Sequence, residues 1–318
     1  MLVQISNYWA KIILFDGFLL ILQRFLKIIK YHMRKYYIVA EHGFSVEAEE
    51  SIFSFMTQYE PFLADKSTSK EVFNLHIHQT QKPIENFIED YRQNEEDYTI
   101  LFGHTTDEEY VLQFLLHDRL ASWLTCPRDF SKGDLFVTGY ATKFSLNNAL
   151  MAMFAFSTMP YHTLLFHSAV VSHHGHGYMF LGVSGTGKST HARLWLQHIE
   201  GSELINDDNP VVRVYEDGSA YVFGSPWSGK TPCYRNVKYP LGGIVKLKQA
   251  PANKIQRVKG IDSYIVIKTS ASRMTWDRHL ADHLYQTVNF MAQKVPIWFL
   301  ECLPDEAAAR LCQSTIEG

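Results

Sequence analysis

Polar and apolar positions change period several times along the chain, and each period predicts an element. Phe73, Leu75 and Ile77 alternate with Asn74, His76 and His78, which predicts a strand with one buried face. Residues 99–102 and 109–116 read as neighbouring strands across a turn at 103–108, and residues 135–137 as another short strand. Residues 33–143 are therefore expected to form a small, mostly β domain. Residues 146–156 are apolar nearly all round, which predicts a buried helix. It leads into a second domain expected at 144–318. There, residues 178–181 and 204–205 read as short strands flanking a helix at 189–199, which Gly201 stops. Residues 220–223 and 295–300 read as strands, and 260–271 and 275–293 as helices. A last helix begins at Pro304, with Asp305 and Glu306 in its first turn, where carboxylates suit the helix dipole.

The first 32 residues carry a different pattern. Phe18, Leu22, Phe25, Leu26 and Ile29 fall on one helical face, and Arg24, Lys27 and Lys30 on another. The apolar run at 12–22 is too short to span a bilayer. A basic amphipathic helix of this kind can lie on an anionic membrane surface. The competing readings, a helix packed on the protein body or a true start at Met33, are preferred here, so no membrane attachment is expected. The 318 residues include 46% hydrophobic and 20% charged positions, with a net charge of −3. That balance fits a well-formed core, and no basic stripe interleaved with aromatics points to nucleic acid. Cys126, Cys233, Cys302 and Cys312 show no metal or redox spacing, so they are expected as free thiols in a reducing cytoplasm.

Candidate chemistry is concentrated in Gly182-Val183-Ser184-Gly185-Thr186-Gly187-Lys188-Ser189-Thr190, between a predicted strand and a predicted helix. The run fits the phosphate-loop pattern G-x-x-x-x-G-K-[ST]. Glycines let the backbone close around phosphates, and a helix N-terminus faces the anion. Lys188 would reach the β- and γ-phosphates of a nucleotide, and the Ser189 hydroxyl would ligand Mg²⁺. Nineteen residues after Lys188 comes Asp207, followed by Asp208, Asn209 and Pro210. If the strand before them runs parallel to 178–181, both strand ends share one sheet edge, where α/β proteins bind ligands. One carboxylate would then hold Mg²⁺, and the other would accept a proton from an attacking hydroxyl.

These two motifs, in this order and this close together, resemble the HPr kinase/phosphorylase and phosphoenolpyruvate carboxykinase superfamily. Residues 182–190 look like the carboxykinase loop, 204–208 like the paired aspartates of both branches, and 167–171 like the histidine-led strand before the HPr kinase loop. The resemblance covers roughly residues 166–247 and is nearest to compact HPr kinase-like proteins. The downstream glycine-rich HPr kinase signature is not found. The resemblance implies an α/β fold with a phosphate-loop kinase core of the HPr kinase/carboxykinase type, beside the smaller β domain. It further implies ATP and Mg²⁺ as cofactors, one of Asp207 and Asp208 as a metal ligand beside Ser189 and the other as acid/base, and His167 behind the aspartates; of the two, Asp207 is taken here as the ligand and Asp208 as the acid/base. HPr kinase relatives assemble into rings, so the resemblance leaves a homo-oligomer open, while the sequence itself shows no self-association pattern.

A second turn-rich loop, residues 223–232, contains Lys230 and is followed by Arg235. It either closes over phosphates, with Lys230 or Arg235 stabilising the transferring group, or is an ordinary hairpin connection. Arg273, Arg278 and His279 read mainly as a solvated face. His173, His174 and His176 fall in a predicted hairpin turn, where solvated imidazoles are expected rather than zinc. The expected function is an ATP- and Mg²⁺-dependent kinase acting on a hydroxyl of a protein, a peptide or a small metabolite. A carboxykinase-like lyase and a nucleotide-binding sensor with little turnover stand as alternatives.

Overall fold

The computed structural model describes residues 32–66, 70–80, 84, 86–229, 231–274 and 277–318. The expected amphipathic segment, up to residue 31, and Lys230 lie outside the described residues. Within them, the alternation at 73–78 is realised as β4 (Glu71–Gln79), whose inward positions Phe73, Leu75 and Ile77 are buried. Its companions are β1 (His32–Val39), β2 (His42–Glu49), β3 (Leu63–Ala64), β5 (Ile88–Asn94), β6 (Tyr98–His104), β7 (Tyr110–Leu116), β8 (Arg119–Cys126) and β9 (Lys132–Val137). They form one sheet in the order β3-β1-β2-β4-β9-β8-β7-β6-β5. β4 runs parallel to both β2 and β9, and the other pairs are antiparallel. The buried helix expected at 146–156 is α1 (Thr142–Thr158), packed across β4, β8 and β9.

The second sheet contains β10 (Thr163–Leu165), β11 (Ser168–His173), β12 (His176–Leu181), β13 (Glu203–Asn206), β14 (Val211–Val214), β15 (Ala220–Phe223) and β16 (Lys238–Gln249). Its order is β10-β14-β15-β16-β12-β11-β13, and β18 (Ile297–Cys302) also pairs with β16 and with β17 (Lys254–Val258). The helices are α2 (Lys188–His198), α3 (Ile261–Ser270), α4 (Arg278–Lys294) and α5 (Glu306–Ile316). Asp277 and Asp305 cap α4 and α5, their carboxylates accepting from the backbone N–H of Leu280 and Ala308. α2 and α5 cover one face through Trp195, Ala308, Ala309 and Cys312, against Phe180, Val245 and Leu300. On the other face, Leu284, Val288 and Met291 of α4 join an apolar cluster that continues through α1 to Phe44 and Phe73 of the first sheet. Trp227 sits in this continuous core and donates its indole N–H to the Tyr59 hydroxyl at 2.9 Å. All four cysteines are free. Among the described residues no helix is long and apolar enough to cross a membrane.

β16 is the strand that the hydrophobic pattern hides. Pro240, Gly242 and Gly243 interrupt its apolar run, yet it is the spine of the second sheet, parallel to β12 and β18. The two glycines accommodate rings. A Cβ on Gly242 would lie 2.7 Å from the Tyr178 ring, and one on Gly243 2.6 Å from the Trp298 ring.

The turn at 173–177 corrects one expectation. The hairpin is present, with His174 and Gly175 at positive φ, and His174 is solvated. His173 is instead buried, because the end of the chain returns onto the hairpin. Its Nδ1 lies 2.6 Å from Glu317 Oε1 and its Nε2 3.1 Å from the Glu200 carbonyl oxygen.

Two other buried histidines make stability depend on pH. Burial pushes His42 down to about 3, with Arg213 adding to the effect, and pushes His191 down to about 4. His191 Nε2 accepts from the Trp195 indole at 3.3 Å, which requires the neutral ring. In the unfolded chain both protonate near pH 6.5, so their stabilisation is complete above that pH and is lost as pH falls toward 4 and then 3. The melting temperature is expected to drop by roughly 10 °C between pH 7 and 4.5. A flat profile by circular dichroism would contradict this account.

Candidate functional site

Three strand ends meet at one edge of the second sheet. β12 finishes at Leu181 and enters the 182–187 turn. β11 is antiparallel to β12, with Ser168 opposite Leu181, so His167 lies where β12 ends. β13 is antiparallel to β11, with Asn206 opposite Val170, so it runs in the direction of β12 and delivers Asp207 and Asp208 to the same edge. The expected parallel direction is therefore observed, with β11 interposed between the two strands. Ser168 N–H donates to the Asp208 carbonyl at 2.8 Å, and His167 Nδ1 lies 3.0 Å from Asp208 Oδ1.

The turn itself has the shape its glycines permit. Gly185 and Gly187 sit at φ of 79° and 97°, a region that side-chain-bearing residues avoid. Thr186 donates to the Val183 carbonyl from both N–H and hydroxyl, at 3.2 and 2.7 Å. Lys188 is buried, and its Nζ donates to the Gly182 and Val183 carbonyls at 3.0 and 3.3 Å. Burial lowers its pKa, against the pull of the Asp208 and Asp207 charges. An anion in the loop would relieve that desolvation, because it favours the charged ammonium. Ser189, in the first turn of α2, is exposed, as are Ser184 and Gly185.

The aspartates are held by a buried polar knot. Asn206 Oδ1 accepts from Asp208 N–H at 2.8 Å, and Asn206 Nδ2 donates to Ser225 Oγ and to the Trp227 carbonyl at 3.1 and 3.2 Å. Ser225 Oγ donates to the Asn209 carbonyl at 2.6 Å, and Asn209 N–H donates to the Trp227 carbonyl at 3.2 Å. The described part of the 223–232 loop thus includes buried residues that clamp the aspartate turn.

Asp207 Oδ1 is buried with no hydrogen-bond partner among the described residues. A buried acceptor left unpaired costs about 1–3 kcal/mol, and more when it belongs to a charged group than to a neutral amide. Asp207→Asn is therefore expected to raise the melting temperature by ~2–4 °C. A thermal melt that falls instead would show that the carboxylate has a stabilising partner.

A cleft of about 260 Å³ opens beside the turn, lined by His167, Gly182, Val183, Lys246 and residues 269–272. Sequence reasoning missed most of this wall. Lys246 stands opposite Leu181 in the parallel β12–β16 register. Residues 269–272 arrive through backbone pairing: His167 N–H donates to the Ser270 carbonyl, and Ser272 N–H to the Leu165 carbonyl, at 3.0 and 2.9 Å. Tyr98 was also missed. Burial, then the Glu95 and Asp208 charges, push its phenol up to about 12, which places this first-sheet residue within electrostatic reach of Asp208.

Arg235 is not brought to the turn. Its guanidinium donates to the Leu204 carbonyl and Glu203 Oε2, both at 2.7 Å, at the opposite end of β13 from Asp207. Arg273 is exposed and donates to the Lys268 and Thr269 carbonyls at the end of α3. Arg278 and His279 open α4.

No protein-family model matches the chain, and no curated protein matches it. Among solved structures, the chain is similar to the Hpr(Ser) kinase/phosphatase from Coxiella burnetii, with 12% sequence identity and a TM-score of 0.29. The match covers 48% of this chain and 99% of that chain. So distant a likeness assigns no role to any residue here.

Proposed function

We propose that the chain is an ATP- and Mg²⁺-dependent phosphotransferase acting on a hydroxyl acceptor, on a protein, a peptide or a small metabolite. The observation that carries this reading is the buried carboxylate oxygen of Asp207, without a hydrogen-bond partner among the described residues, at the strand edge that also holds the phosphate-loop turn. An orphaned anionic oxygen beside a phosphate site is the donor type that Mg²⁺ selects. Asp207 and the Ser189 hydroxyl would hold the ion, which, when bound, supplies neutralisation of phosphate charge.

The protein's own groups account for the remaining requirements. Backbone N–H groups of the turn and the N-terminus of α2 receive the phosphates. Lys188 exchanges its two loop carbonyls for phosphate oxygens. Asp208 takes the proton of the acceptor hydroxyl as the acceptor oxygen bonds the γ-phosphorus and the bond from that phosphorus to the β-bridging oxygen breaks. His167, with Nδ1 3.0 Å from Asp208 Oδ1, pairs with the carboxylate and favours its orientation, and Lys246 adds positive charge to the cleft wall. Positioning and electrostatics are then the main catalytic contributions. The test is label transfer from γ-labelled ATP, with Mg²⁺, into the polypeptide or small-molecule fraction of a cell extract. Transfer by the native protein that disappears with Asp208→Asn supports the reading. Nucleotide binding without any transfer would overturn it.

A further inference from the structure

A second group of ligand-type side chains lies on the outer face of the first sheet, away from the phosphate-loop edge. His76 and His78 are two apart on β4 and so share a face. Asp134 stands opposite His76 in the parallel β4–β9 register, and Glu47 opposite His76 in the parallel β2–β4 register. One ligand atom from each of His76, His78 and Asp134 falls within 4.8 Å of the others. Asp134 Oδ1 is the focus, 2.7 Å from His78 Nε2 and 4.0 Å from His76 Nδ1.

The remaining contacts orient this set. His76 Nε2 lies 2.7 Å from Glu47 Oε2. That carboxylate stands beside the ring nitrogen turned away from Asp134, on the side from which a carboxylate commonly holds a metal-binding histidine. The His78 ring stacks on Phe136 at 4.8 Å, and Phe136 on Trp123 at 5.3 Å, so its plane is fixed. All three side chains are 40–47% exposed, open to an ion from solvent.

From this geometry we propose that His76, His78 and Asp134 form a binding site for a divalent transition-metal ion of the imidazole-preferring class, with Zn²⁺ as the type. Two imidazoles and one carboxylate are a zinc-type donor set, and three protein ligands leave a position for water. Ligand atoms around a tetrahedral ion with bonds of about 2.0–2.2 Å stand roughly 3.3–3.6 Å apart, so the 4.0 Å pair closes and the 2.7 Å pair opens, each by less than about an ångström.

The test is calorimetric titration of the full chain with Zn²⁺, paired with thermal melts. One saturable site is expected, together with a rise in melting temperature on adding zinc. The His76→Ala/His78→Ala double variant is expected to bind at least about a hundredfold more weakly. Glu47→Gln, which leaves the ligands intact, is expected to bind about tenfold more weakly through the misoriented His76 ring. If the double variant does not fold, Asp134→Asn serves in its place. Absence of saturable binding to the native chain, or native affinity in the double variant or in Asp134→Asn, overturns the proposal.

Discussion

Asp208→Asn is expected to reduce phosphoryl transfer by about 10²–10⁴-fold, the usual contribution of a positioned general base. The substitution preserves shape. The amide oxygen can still meet His167 Nδ1, now 3.0 Å from the carboxylate, and the backbone bonds of residue 208 to Asn206 Oδ1 and Ser168 N–H are untouched. What is lost is the capacity to take a proton. Nucleotide affinity and melting temperature should therefore stay close to native while turnover collapses. Measured side by side, binding, melting and label transfer separate this outcome from general damage. Undiminished transfer would remove Asp208 from the chemistry.

Trp227→Ala is expected to have the largest effect on stability, a loss of about 3–5 kcal/mol in chemical denaturation. The indole is 1% exposed and packs against Phe154 and Tyr59 at ring separations of 5.2 and 6.2 Å. Its removal leaves a cavity between α1, Tyr59 and the aspartate turn, and takes the donor from the buried Tyr59 hydroxyl, which keeps only its own bond to Asn147 Oδ1. The backbone carbonyl of residue 227 anchors both Asn206 and Asn209, so a collapse there also shifts Asp207 and Asp208. Trp227→Phe fills most of the space and should recover much of the loss. A loss under about 1 kcal/mol in the alanine variant would show that the core closes over the vacancy.

The local part of the site was legible from residue order. The glycine turn, Lys188, α2 and the aspartate pair lie within a few dozen residues, and each follows from spacing or turn chemistry. The alternation at 73–78 and the buried helix after it were equally readable. The rest depends on which strands meet across long separations, and a single sequence does not encode that in any local period. β11 between β12 and β13, Lys246 opposite Leu181, residues 269–272 beside His167 and Tyr98 near Asp208 are all of this kind. His76 and His78 were visible as polar members of an alternating strand. Asp134 joins them only through the register of β4 and β9. His173 was misread because its partner, Glu317, is supplied by the far end of the chain. Arg235 follows the loop closely enough in sequence to suggest a role at the phosphates, but its guanidinium is held at the far end of β13 by the Leu204 carbonyl and Glu203.

The glycine pair of β16 has a consequence for how that strand tolerates change. Tyr178 and Trp298 occupy the room that Cβ atoms would need at Gly242 and Gly243, and four and three residues further on Lys246 faces the cleft. Sliding β16 by one residue would drive Leu241 into the Tyr178 ring in one direction, or Ile244 into the Trp298 ring in the other, and would turn Lys246 to the opposite face of the sheet. The two rings therefore act as a locating pin, indexing a cation near one end of the strand by contacts made nearer its other end. A single-residue insertion between 243 and 246 would leave the pin seated and still disarm the cleft, whereas an insertion before 242 would carry pin and lysine along together.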